Sequence, residues 1–174
     1  MKIYDTNFIK DQFPALQRKV WDKKLVYLDS AASMQKPKRV LDAISKSYSF
    51  NYSNVHRGLH KLSEEATAKY EGSRIKVAKF INCSENEVIF TSGATAALNL
   101  IAYSWGMKNL SAGDEIIITI AEHHANIVPW QIIAEQKNVK IKAAHVDPNS
   151  EFNPDIIKDL VTDKTKIIAF PHVS

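Results

Sequence analysis

The sequence has 174 residues, 45% of them hydrophobic and 24% charged, with five Gly, six Pro and a formal net charge of +4. That length fits one domain, short for an enzyme that must enclose a cofactor and a substrate, and the composition excludes disordered and fibrous classes. Lys and Arg are scattered without a run of about five or six, so nucleic acid is not an expected partner. No apolar run approaches membrane-spanning length, and Asp5 and Asp11 interrupt the N-terminal stretch where a signal peptide needs continuous apolar residues. The single cysteine, Cys83, makes neither an internal disulfide nor a CxxC motif, and the expected setting is the reducing cytoplasm.

Residues 1–24 are expected as an N-terminal helical segment. Val26 to Leu28 reads as a short strand, and Pro37 then stands at the start of a helix carrying Val40, Leu41, Ile44 and Tyr48. A long helix is expected from Leu62 to Ile81, with Ala66, Tyr70, Ile75, Ala78 and Phe80 as its apolar face. Beyond Glu87 strands and helices alternate: strand Val88–Phe90, helix Ala94–Tyr103, strand Glu115–Ile120, helix Ile127–Glu135, strand Val139–Val146, helix Pro154–Leu160 and strand Lys166–Phe170. Short apolar runs separated by helices predict an α/β fold with a mostly parallel sheet buried on both faces. The sequence stops directly after a strand of buried type, so the fold is expected to be incomplete.

Three segments could carry chemistry. In Phe90-Thr91-Ser92-Gly93-Ala94-Thr95 a strand runs through a glycine turn into a helix, whose open amides and dipole suit a phosphate; the alternative is that Ser92 only caps the helix. Neither a Walker motif nor GxGxxG is present. In Ala121-Glu122-His123-His124-Ala125-Asn126 an imidazole lies beyond the end of a strand, where it could stack on a flat cofactor or move protons, or merely cap the next helix. In Asn54-Val55-His56-Arg57-Gly58-Leu59-His60, Arg57 could grip a carboxylate beside His56, or the segment could be a solvated connection. No metal site is expected: His56 and His60 have helical spacing, but Gly58 stands between them, and the adjacent His123 and His124 diverge on a strand. Cys83 has no cationic helper nearby in sequence and is not expected as a nucleophile.

Taken together, Tyr27-Leu28-Asp29-Ser30-Ala31-Ala32-Ser33, Gln35-Lys36-Pro37, Val55-His56-Arg57-Gly58 with His60, Gly93 with Thr95, Asn99-Leu100, Ala112-Gly113-Asp114, the run from Glu122 to Trp130, and His172-Val173-Ser174 resemble the SUF-type cysteine desulfurase and selenocysteine lyase family. That family lies within the class V aminotransferase-like enzymes of fold type I, which use pyridoxal 5'-phosphate. The resemblance implies that residues 25–174 are the N-terminal part of a cofactor-binding large domain. It implies that Ala94 and Thr95 hold the cofactor phosphate, and that His123 stacks over the pyridine ring and assists proton transfer. It places Ala31, His56 and Arg57 at the border of the substrate site. Ser92 stands where many relatives carry a basic residue. The family's cofactor-binding Lys, its Asp at the pyridine nitrogen and its sulfur-accepting Cys all lie beyond the equivalent of Ser174, so the chain alone is expected to be inactive. His60-Lys61 is in a different segment from the family's cofactor-binding His-Lys pair. The implied reaction converts L-cysteine, or L-selenocysteine, to L-alanine, with the sulfur passing as a persulfide to an acceptor protein of iron–sulfur cluster assembly. The implied assembly is a cytoplasmic homodimer. Two other readings are a noncatalytic fragment that dimerises or binds a partner, and another class V enzyme such as an aminotransferase or a kynureninase-like lyase.

Overall fold

The computed structural model describes residues 5–145 and 153–172. It divides into two compact units, Met1–Val88 and Ile89–Ser174. In the first, Asp5 caps helix α1 (Thr6–Asp11), its Oδ1 accepting from the amides of Asn7 at 3.0 Å and Phe8 at 3.1 Å. Two donors that a helix start leaves open are thereby filled. A 3₁₀ turn, Pro14–Gln17, leads into a hairpin of β1 (Lys19–Val20) and β2 (Lys23–Lys24). The segment expected to be helical through residue 24 thus ends in strands, because Trp21 and Asp22 adopt φ of 50° and 60° and reverse the chain.

The strand expected at Val26–Leu28 is absent. Pairing stops at Leu25, whose amide donates to the Arg18 carbonyl at 3.2 Å, and Val26 and Leu28 stand 75% and 90% exposed. An apolar run becomes a strand only where a neighbour offers a ladder. Helix α2 (Lys38–Lys46) starts after Pro37, and a π turn, Ser47–Asn51, continues it. Helix α3 (Lys61–Ile81) ends at Asn82 with φ 59°, where the Cys83 amide donates to the Ala78 carbonyl at 2.9 Å. Of its five expected core positions Ala78 alone is buried, while Phe80 is 90% exposed. At about 100° per residue Ile75 stands on the opposite side from Ala66, so the five positions never formed one stripe. The expected strand Val88–Phe90 joins neither sheet. The Val88 carbonyl, which a ladder would need, accepts from the Arg74 guanidinium.

The second unit begins with helix α4 (Ala94–Ile101), which passes through a π turn, Ala102–Gly106, into the short α5 (Met107–Asn109). Gly113, at φ 88°, makes the turn into β3 (Glu115–Thr119). A 3₁₀ turn, His124–Asn126, precedes α6 (Val128–Lys137), followed by β4 (Lys140–Ala144), α7 (Asp155–Lys158) and β5 (Thr165–Ala169). The sheet is parallel in the order β4-β3-β5, as expected for an α/β fold. Val146, Pro148, Val173 and Ser174 lie outside the described residues. Burial on both faces holds for β3 but not for its neighbours, which are partly exposed. Ile116 and Ile118 pack with Leu110, Trp130, Ile133 and Val139 on one face; Ile117 packs with Ala144 and Ile157 on the other.

The buried start of the central strand carries a charge. Glu115, 8% exposed, receives the Lys142 ammonium from β4 at 2.7 Å and the Thr162 hydroxyl at 2.6 Å. Lys142 also donates to the Leu160 carbonyl at 3.0 Å. The hydrogen bond from Lys142, then that from Thr162, holds the Glu115 carboxyl below the ordinary glutamate range. Because the folded value is depressed, the stabilisation is complete above the ordinary range and is lost as pH falls through the depressed value. Chemical denaturation across acid pH is expected to show this loss in the native chain and a flatter profile in Glu115→Gln.

Candidate functional site

The carboxyl end of β3 and the start of α4 lie in the same unit, where α4 packs against the His124–Asn126 turn. The N-cap of α4 is Gly93, in extended conformation at φ 159° and ψ 178°, with no side-chain bond to the helix start. Ser92 therefore does not cap the helix, and the simpler of the two readings of this segment fails. The first intrahelical bond is Ala97 N–H to the Gly93 carbonyl at 3.0 Å. The amides of Ala94, Thr95 and Ala96 accordingly have no acceptor among the described residues. Three unsatisfied donors at the positive end of a helix dipole form a receptor for a multiply charged anion, and the exposed Thr95 can add its hydroxyl. That donor set fits a phosphate monoester.

His123 follows β3 after a short turn and is exposed. Its Nδ1 accepts from the Ala125 amide at 3.1 Å, so it is both a cap and a flat surface facing solvent. The preceding Glu122 grips the turn with both oxygens: Oε2 accepts the His123 amide at 3.0 Å and Oε1 the Asn126 side-chain amide at 2.9 Å. Asn126 Oδ1 in turn accepts from the buried Trp130 indole at 3.0 Å. The His124 ring lies edge-on to His123 at 6.3 Å. The structure thus brings Ala94, Thr95 and His123 onto adjacent elements. The roles of Glu122, Asn126 and Trp130 were missed in the sequence; they lie four residues apart, but on a turn, a 3₁₀ turn and the start of α6 in succession, so no single helical period marks them.

In the first unit the loop with His56 and Arg57 is fastened to α3 by a polar stripe at the same spacing, Ser63, Thr67 and Glu71. His56 has φ 70°, an uncommon conformation for a residue with a side chain. It is held by its amide donating to Thr67 Oγ1 at 2.9 Å and by its Nε2 on Glu71 Oε1 at 2.8 Å. Glu71 also binds Arg74 Nε at 3.0 Å, and the Arg74 guanidinium lies 5.2 Å from the Tyr70 ring centre. The hydrogen bond from His56 first, then Arg74, holds the Glu71 carboxyl below its usual range. Ser63 Oγ donates to the Asn54 carbonyl at 2.8 Å and accepts from the Gly58 amide at 3.1 Å. The loop is therefore a solvent-exposed connection fastened to α3 by hydrogen bonds. His60 caps α3 through Nδ1, which accepts from the Ser63 amide at 3.4 Å. The exposed Arg57 guanidinium makes no hydrogen bond or ion pair among the described residues. Ala31 is exposed in a turn closed by the Ser33 amide on the Asp29 carbonyl at 3.1 Å.

Gly58 is required by space: an added Cβ would lie 2.4 Å from Ser63 Cβ and 2.5 Å from its Oγ. Gly58→Ala is expected to displace the loop from α3 and cost roughly 1–3 kcal/mol, with faster hydrogen exchange at the His56 amide. An unchanged exchange rate there would mean that the loop does not depend on this close approach.

Comparison with known proteins identifies the fold and the family. A probable cysteine desulfurase of Synechocystis sp. is 47% identical over 167 residues, covering 95% of this chain and 40% of that protein. Another, of Vibrio cholerae, is 49% identical over 167 residues, covering 95% of this chain and 41% of that protein. The apo structure of a cysteine desulfurase from Thermococcus onnurineus NA1 superposes with a TM-score of 0.87 at 31% identity, over 99% of this chain and 41% of that one. The chain thus spans about 40% of the length of the relatives it matches. Residues 26–174 match the model of the aminotransferase class-V family, and the chain belongs to that family.

Proposed function

We propose that this chain forms the phosphate- and ring-binding part of a pyridoxal-phosphate-dependent cysteine desulfurase, which converts L-cysteine to L-alanine and retains the sulfur as an enzyme persulfide. The observation that carries this reading is the open helix start of α4 packed against the turn that follows His123. The names of the similar proteins supply the substrate. Bound here, pyridoxal phosphate would supply an electron sink for chemistry at the α-carbon of an amino acid. In the second unit the Ala94 and Thr95 amides, with the Thr95 hydroxyl, would hold the phosphate and the His123 ring would lie against the pyridine; in the first unit Ala31 and Arg57, beside the clamped His56, are the residues proposed for substrate binding. Residues 25–174 then constitute the N-terminal part of the large domain of a cytoplasmic homodimer, whose persulfide goes to an acceptor of iron–sulfur assembly. L-Selenocysteine is a second substrate of the same chemistry. No helix among the described residues is long and apolar enough to cross a membrane. A second reading, a fragment that works by pairing with another chain, draws support from β4 and β5, each of which has a strand neighbour on one side only among the described residues.

The phosphate receptor can be tested apart from turnover. Pyridoxal phosphate is expected to bind more tightly than pyridoxal, and Thr95→Ala to weaken the phosphate ester about tenfold, the effect of one charge-assisted hydrogen bond. Binding is read by visible absorbance, and alanine formation from L-cysteine is measured in parallel. Equal affinities for the two aldehydes would remove the phosphate site from the proposal.

A further inference from the structure

The bonds around His123 have fixed directions. An indole N–H can only donate, so Asn126 must face Trp130 with its oxygen and Glu122 with its amide nitrogen. Glu122 receives that amide on one oxygen and the His123 backbone amide on the other, so both oxygens are used as acceptors. Donation converges on Glu122, from Trp130, 3% exposed in the core, through Asn126 on one side and from the backbone amide of the exposed histidine on the other. The Ala125 amide, also only a donor, points at His123 Nδ1 at 3.1 Å. That nitrogen must therefore carry its lone pair, and the ring proton sits on Nε2.

We propose that Glu122, Asn126 and Trp130 are positioning residues that hold the turn in which the Ala125 amide fixes His123 as the neutral tautomer protonated on Nε2. The proposal rests on the reading of this strand end as the cofactor site, and it narrows what His123 does there. A neutral imidazole has one lone pair able to accept a proton, and here the Ala125 amide occupies it. With the cap closed, His123 offers its ring face and a hydrogen bond from Nε2–H. It does not serve as a base. Accepting a proton on Nδ1 requires the Ala125 amide to leave, so the proton transfer expected of His123 occurs only when the turn opens. The run from Glu122 to Trp130 acquires a physical reason: residues four apart tie the turn to the first turns of α6.

The test is ring ¹⁵N chemical shifts of the labelled chain above the imidazole titration range, where the two neutral tautomers are distinguished. His123 is expected entirely in the Nε2–H form. Glutamine offers one acceptor where Glu122 uses two, so Glu122→Gln is expected to let the Nδ1–H form appear at His123 while His124 stays the same. Trp130→Phe, which removes the donor at the head of the chain, is expected to do likewise; if it unfolds, Glu122→Gln, at a half-buried position outside the core, still decides. A populated Nδ1–H form in the parent chain overturns the tautomer assignment, and a Glu122→Gln spectrum identical to the parent overturns the positioning role. Pyridoxal phosphate is then added. Ring signals that do not move count against the cofactor reading alone and leave the tautomer result intact.

Discussion

Burial of β3 on both faces is the constraint on which the second unit depends. Ile116, Ile117 and Ile118 leave no solvated side, so the strand must be covered by helices on each face and flanked by β4 and β5. Fully burying each of these side chains is worth on the order of 2 kcal/mol, and together they fix where the strand ends. Polar groups that follow Thr119 emerge at the carboxyl end of a parallel strand, where open α/β sheets place ligands. The site is in this sense a consequence of the core: the same packing that buries Trp130 supplies the indole N–H from which the His123 turn is held.

Both candidate loops are held in a related way. Polar residues four apart grip the loop: Ser63, Thr67 and Glu71 on one face of α3 for His56, and Glu122, Asn126 and Trp130, running from the turn into the start of α6, for His123. Exposed loops of this kind lose order unless their backbone amides are satisfied. These bonds satisfy them, while among the described residues the Arg57 guanidinium in one unit and the amides at the α4 start in the other have no partner. The two clamps differ in charge. Glu71 is shared between two cationic or potentially cationic partners, whereas Glu122 serves only neutral donors.

Much of the second unit was legible in the sequence because its strands are short apolar runs separated by helices, a pattern that burial enforces. The failures lay where an apolar run met no partner. Val26–Leu28 and Val88–Phe90 have strand composition, yet a ladder depends on a neighbour that local sequence does not specify, and the Val88 carbonyl is taken by Arg74. The apolar face of α3 was misjudged because a list of hydrophobic positions was accepted without checking their angular spread. The proposed site residues Ala94, Thr95 and His123 were picked out from the glycine turn and the position after a strand, and the structure sets them on adjacent elements. The supports of His123 were missed because they run through a turn, a 3₁₀ turn and the start of α6, so no single helical period marks them.

The central claim is that the α4 start and the His123 turn form one receptor for a phosphorylated, flat ligand. Backbone amide shifts recorded with inorganic phosphate and then with pyridoxal phosphate test it most directly. Phosphate is expected to move the Ala94, Thr95 and Ala96 amides alone, and pyridoxal phosphate to move those amides together with His123 and Ala125. Perturbation that bypasses the α4 start, or that separates it from the His123 turn when pyridoxal phosphate is added, would contradict the account.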